Sequence, residues 1–171
     1  MPKARGKVVV RTLLLVGEGG AEKAFLEHLK SIYCPRGSGV FVTVRDAHGK
    51  GPEQVVEQTI RWLQNADFDH RATLLDTDLA WPERTRKRAR QKRLELVGSA
   101  PCLEGLLLRI LGRPVPSSSD GCKRALGAEL SGRATAPESY RTLFPSSLLE
   151  ERRRDIPELA RLIALLSGNW D

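Results

Sequence analysis

Two apolar runs in this chain each end in carboxylate, and that pattern constrains the fold more than any other feature. The first, Val8-Val9-Val10-Arg11-Thr12-Leu13-Leu14-Leu15-Val16, runs into Gly17-Glu18-Gly19-Gly20. The second, Ala72-Thr73-Leu74-Leu75, ends in Asp76-Thr77-Asp78. Each reads as a buried strand. Laid side by side, the two strands bring Glu18, Asp76 and Asp78 to one point. Alternation along the second strand puts Asp76 and Asp78 on the same side, with Thr77 opposite. Two like charges on one side repel, and a divalent cation removes the conflict. Mg²⁺ (or Mn²⁺) suits such a donor set, because Mg²⁺ takes oxygen ligands and needs only one or two carboxylates plus substrate phosphate. Simpler roles stay open: a solvated turn or helix N-terminal charge for Glu18, and a helix cap or loop pair for the aspartates.

The rest of the first two-thirds alternates in the same way. The pattern predicts strands over residues 7–16, 39–44, 71–76 and 94–97. Helices are predicted over 21–33, from Pro52 through Leu63, over 82–92 and from Cys102 to Leu111. Strand–helix alternation implies an α/β fold, a parallel sheet of about four strands with helices on both faces. In such sheets the functional crevice lies outside the carboxyl ends of the strands, at the switch point of strand order. Glu18 and the two aspartates fall there. After Gly112 the character changes. Pro114-Val115-Pro116-Ser117-Ser118-Ser119 is a linker, and helices are expected over 120–130, 137–149 and 155–167. The expected organisation is a catalytic core over 1–112 and a helical extension over 113–171 packed on it.

Bulk properties narrow the partner class. With 171 residues and 40% hydrophobic content the chain is long enough for one real core. A net charge of +7 favours a polyanion, or simply a soluble basic surface. Cys34, Cys102 and Cys122 are odd in number and lack metal-ligand spacing, so reduced thiols in a cytoplasmic protein are expected. The basic start, Met1 to Lys7, precedes an apolar stretch, but Arg11 interrupts it and no cleavage pattern follows. No run is long enough to span a membrane.

Gly17-Glu18-Gly19-Gly20 begins like a dinucleotide fingerprint, but Glu22 stands where the third glycine belongs, and no Gly-Lys-Ser/Thr follows. A carboxylate inside a bare phosphate cradle would repel its ligand, so Glu18 argues for a cation. Seven of the ten residues from Arg84 to Arg93 are basic: Arg84, Arg86, Lys87, Arg88, Arg90, Lys92 and Arg93. They directly follow the Asp76/Asp78 strand and read as a phosphate-gripping helix beside the site, or as a solvated helix face. Trp81, just before them, offers a ring for base stacking, or packs beneath its own loop. His48, in a glycine-rich turn, is a proton carrier or a plain loop histidine.

A strand ending in Glu within a Gly-rich turn, followed by a strand ending in Asp-x-Asp, resembles the Toprim domain. More closely, Leu14-Leu15-Val16-Gly17-Glu18-Gly19 with Glu22 and Phe25 resembles the RloB-like group of Toprim proteins. Gly49-Lys50-Gly51-Pro52 and Ser99-Ala100-Pro101-Cys102-Leu103-Glu104 do so too. The match departs at Ala21, where the family carries Thr, and at Leu103, Gly105 and Leu106, where it carries aromatics. The resemblance implies a metal-dependent nuclease acting on DNA or RNA in anti-phage defence, working with a partner protein encoded nearby, such as an ATPase. It implies Glu18, Asp76 and Asp78 as the catalytic residues, Glu18 as a general acid/base or metal ligand and the two aspartates as the metal-binding pair, with Glu22 and Glu104 as ligands of a second metal, or Glu104 as a helix N-terminal charge. A catalytically weak nucleic-acid-binding or regulatory subunit is the alternative, and phosphoryl transfer on a small nucleotide a third.

Overall fold

The structure is a computed structural model that describes residues 9–171. Four strands form one parallel sheet: β1 (Arg11–Gly17), β2 (Val40–Asp46), β3 (His70–Asp76) and β4 (Glu95–Ser99). Their spatial order is β2-β1-β3-β4. Strand β1 therefore lies between β2 and β3, with Gly17 opposite Asp46 on one side and Leu74 on the other. Its apolar run is buried from Leu13 through Gly17, as expected of a central parallel strand covered on both faces.

Between strands run α1 (Gly20–Tyr33), α2 (Pro52–Leu63) and α3 (Glu83–Gln91), and after β4 comes α4 (Leu103–Leu111). The chain steps from β1 out to β2, then reverses across β1 to β3. Crossovers of one hand must then lie on opposite faces, and the cores divide accordingly. Leu13, Leu15, Val42, Val44, Ala72 and Leu74 pack with Phe25, Leu26 and Leu29 of α1. Leu14, Val16 and Leu75 pack with Val55 of α2 on the other side. Val56 and Ile60 of α2 continue that layer to Ala89 of α3.

Four further helices follow: α5 (Ser119–Gly127), α6 (Glu138–Arg141), α7 (Ser146–Arg152) and α8 (Pro157–Leu166). Their buried residues, including Leu126, Tyr140, Leu149 and Leu162, join the α1 side of the sheet in one cluster, together with Phe144 from the segment between α6 and α7. The cysteines are free thiols, with Cys102 and Cys122 buried. Among the described residues no helix is long and apolar enough to cross a membrane.

Several boundaries differ from the sequence reading. The first strand was expected over 7–16; it runs from Arg11 to Gly17, and residues 7 and 8 lie outside the described residues, as does the basic start. Strand β2 extends beyond Val44 to Asp46, and β4 beyond Val97 to Ser99, because pairing with β1 and β3 carries them further than their own apolar content does. The single helix expected over 137–149 is two helices, α6 and α7. Pro145 breaks the run: the residue before proline is driven out of the α region, and Phe144 fills the core instead.

The amino ends of the strands are tied to the C-terminal residues. Arg161 of α8 grips Glu95 of β4 with two bonds, of 2.5 and 2.9 Å, and also donates to the Asn169 and Trp170 carbonyls. His70 of β3 meets Glu95 at 2.9 Å and stacks on Trp170 with centroids 5.3 Å apart. Arg11 covers Trp170, 3.9 Å from the ring centroid. Burial acts to raise the Glu95 pKa, but the bonds from Arg161 and His70 outweigh it and leave it lowered. Its stabilising contribution is thus present above the ordinary carboxylate pKa and is lost as pH falls through its folded-state value. Replacing Arg161 with Ala is expected to cost about 1–3 kcal/mol in urea unfolding at pH 7. The gap from wild type should narrow below pH 4.5, the ordinary value for Glu95.

Candidate metal centre

The carboxyl ends of β1 and β3 meet at the switch point, and the sequence places a carboxylate at each. Glu18 follows β1 directly. Its Oε2 accepts from the Asp76 N–H at 3.2 Å, and its Oε1 from the Gly51 N–H at 3.3 Å. Its carbonyl accepts from Gly49 N–H at 3.1 Å. Glu18 is therefore a strap that joins the β2–α2 loop to the end of β3.

Asp76 closes β3. Its Oδ1 accepts from Ser99 Oγ at 3.2 Å and from the Leu103 N–H at 3.0 Å, the first turn of α4. Oδ2 accepts no hydrogen bond from a described residue. Burial, then the charges of Glu22 and Glu18, push the Asp76 pKa up to about 7; the Leu103 and Ser99 bonds oppose this.

Glu22 sits in the first turn of α1, where its Oε2 accepts from the Gly19 N–H at 3.0 Å and caps the helix. It is buried, and burial raises its pKa, with Glu104 and Glu18 adding to the shift. Gly17 allows this closeness: a Cβ there would lie 2.6 Å from Glu22 Cβ and 2.9 Å from the Lys23 nitrogen. Glu104 is in the first turn of α4 and half-buried. Its charge also raises the pKa of Tyr140 and of Cys102, the latter to about 12, though burial is the largest cause in both. Glu18, Glu22, Asp76 and Glu104 thus form one electrostatically coupled group.

Asp78 lies two residues beyond the end of β3. Strand β3 ends at Asp76, so the alternation expected to align the two aspartates does not reach Asp78. Thr77 N–H turns to the Ser99 and Pro101 carbonyls, each at 3.0 Å. Asp78 is exposed; its Oδ2 accepts from Ser119 Oγ of α5 at 2.9 Å and its Oδ1 from the Leu79 N–H. Among the described residues, no group of three or more His, Cys, Asp or Glu side chains is arranged as a metal cage. The donor set nonetheless fits a hard divalent ion: it is all carboxylate oxygen, and Asp76 Oδ2 accepts no hydrogen bond from a described residue.

The basic helix α3 splits by face. Arg84 and Arg88, four residues apart, pair with Glu53 and Glu57 of α2, the second pair at 3.1 Å. Arg90 pairs with Glu83 at 2.6 Å. Arg86 donates to the Trp81 carbonyl at 3.3 Å. Lys87, Lys92 and Arg93 are exposed and make no ion pair with a described residue. Three of the seven expected phosphate contacts thus already have protein carboxylates as partners.

Three contributors escaped the sequence reading. Asp46 ends β2, and His48 Nε2 lies 2.8 Å from its Oδ1; its signal, an apolar strand ending in carboxylate, is the one that marked Glu18 and Asp76. Ser99 and Ser119 hold the aspartates through tertiary contacts from later elements, which no local pattern announces.

Asp76 has a folded pKa above its unfolded value of 3.8, so stability present below that value is lost as pH rises through about 7. Replacing Asp76 with Asn removes the loss. In cation-free buffer the variant is expected to gain on wild type between pH 4 and 8, by about 1–2 kcal/mol after allowance for solvent screening of a partly exposed group. Chemical denaturation at the two pH values measures it. No protein-family model matches the chain, and no curated protein or solved structure matches it either.

Proposed function

We propose that this protein is a Mg²⁺- or Mn²⁺-dependent nuclease of the RloB-like Toprim kind, hydrolysing phosphodiester bonds in DNA or RNA, with a role in anti-phage defence beside a partner such as an ATPase. One observation carries the reading. At the switch point, burial of Asp76, with the charges of Glu22 and Glu18 adding to it, pushes its pKa up to about 7, and a cation beside these carboxylates would relieve that cost. Asp76 Oδ2, Glu22 and Glu104 are the residues that would hold the ion, with Asp78 on the flank. A divalent ion supplies Lewis acidity toward the phosphodiester and toward water. Ser99 and the Leu103 N–H hold the Asp76 carboxyl in one orientation. Glu18, held by two backbone N–H donors, is oriented to accept a proton. Lys87, Lys92 and Arg93, which pair with no described residue, offer charge to the phosphate backbone.

A second reading is favoured by one contact set. Both oxygens of Glu18 already accept backbone bonds and Asp78 is bound to Ser119, as suits a subunit that binds nucleic acid without cutting it.

Labelled DNA and RNA, incubated with the protein and Mg²⁺ or Mn²⁺, are expected to be cleaved; chelator or Asp76→Ala should abolish the reaction. Salt-sensitive binding that survives Asp76→Ala, with no cleavage by wild type, selects the second reading. Metal binding has its own readout. Mn²⁺ at about a hundredfold excess over its Kd should raise the unfolding free energy by about 2.7 kcal/mol. Asp76→Ala should show little of that gain.

A further inference from the structure

We propose that Trp81 forms a stacking subsite for one unpaired base of a single nucleic-acid strand, directly beside the candidate metal centre. It rests on the reading above for its ligand class, nucleic acid, and not for cleavage. Trp81 belongs to the segment joining β3 to α3. Its indole Nε1 donates to the Asp76 carbonyl at 2.9 Å, so the ring is fixed to the residue that ends β3. The ring lies over β4 at Gly98, where a Cβ would approach Cη2 to 3.1 Å and Cζ2 to 3.3 Å. One part of the indole packs against the α2-side core, and the rest is accessible.

Hollows flank the ring. The larger, about 310 Å³, is floored by Ala89, Leu94 and Leu96 and flanked by Arg86 and Arg90. Glu95, already gripped by Arg161, also lines it. The smaller, about 140 Å³, is bordered by Thr77, Leu79, Ala80 and Arg86, and Leu79 is 62% exposed. Arg86 serves both, with its guanidinium 5.6 Å from the ring centroid. A rigid indole, an apolar floor and a cationic rim match a flat aromatic group carrying an adjacent negative charge, which describes a nucleotide. A single strand presents its base faces for such stacking, whereas a duplex keeps them paired and stacked. The +7 net charge adds general attraction for the phosphate backbone.

The test is fluorescence-anisotropy binding of short labelled single strands of DNA and RNA and of a matched duplex, in EDTA so that no metal chemistry intervenes. Trp81→Ala is expected to weaken single-strand binding about five- to hundredfold, the effect of losing one base–aromatic stack. Duplex binding should change less than about twofold, and the salt slope should not change. Trp81→Phe should retain most of the affinity. Strand binding should quench intrinsic fluorescence in wild type, and the quench should disappear in Trp81→Phe, in which Trp62 and Trp170 report that the fold is intact. Unchanged single-strand affinity in both variants, or a quench that persists in Trp81→Phe, overturns the proposal. So does displacement of the strand by polyglutamate as effectively as by unlabelled oligonucleotide. If nothing binds, the subsite and the nucleic-acid partner fall together. If strands bind through Trp81 but Mg²⁺ and Mn²⁺ give no cleavage, only the nuclease reading falls.

Discussion

Parallel pairing of β1 with β3 is the constraint on which the carboxyl end of this sheet depends. The register that sets Gly17 opposite Leu74 brings the residue after β1 beside the residue that ends β3. The backbone then completes the contact, since the Asp76 N–H bonds the Glu18 carboxylate. Glu22 enters the same space because α1 begins immediately and Gly17 leaves room for it. Charge crowding at this end is thus a product of chain topology, and its compensation comes from backbone N–H groups and helix first turns. Those donors offset part of the cost, but burial first, and the neighbouring carboxylates second, keep the pKa values of Asp76 and Glu22 raised.

Much of this was legible in the sequence, and the reasons are local. The four strands and the first four helices announce themselves through apolar runs and helical spacing, and the reversal of strand order follows from their being parallel and covered. Glu18 and Asp76 were readable because each directly follows or ends such a run. For Asp78 the local pattern is a weaker guide: alternation holds only while a strand persists, and β3 stops at Asp76. Ser119, on a helix of the C-terminal region, donates to the Asp78 carboxylate, a contact that the local sequence does not announce. The break at Pro145 lies inside the span expected as one helix, and proline's effect on the residue before it accounts for the split.

The basic run shows a different limit. Its composition gives charge but not partners. Glu53 and Glu57 have the i,i+4 spacing that matches Arg84 and Arg88, yet that match has meaning only once α2 and α3 pack together through Val56, Ile60 and Ala89. Part of the helix is therefore a structural zipper, and part is available surface. Trp81 shares this divided character: it helps cover the α2-side core while leaving hollows beside its ring.

The clasp of Arg161, Glu95, His70, Trp170 and Arg11 lies at the amino ends of the strands, whereas the acidic group lies at their carboxyl ends. The clasp and the acidic group thereby occupy opposite poles of one sheet. Loops at the acidic pole can accumulate substitutions without loosening the ties at the other. A lineage built on this scaffold is free to vary the acidic pole while keeping its fold, so divergence should concentrate at one pole and constraint at the other.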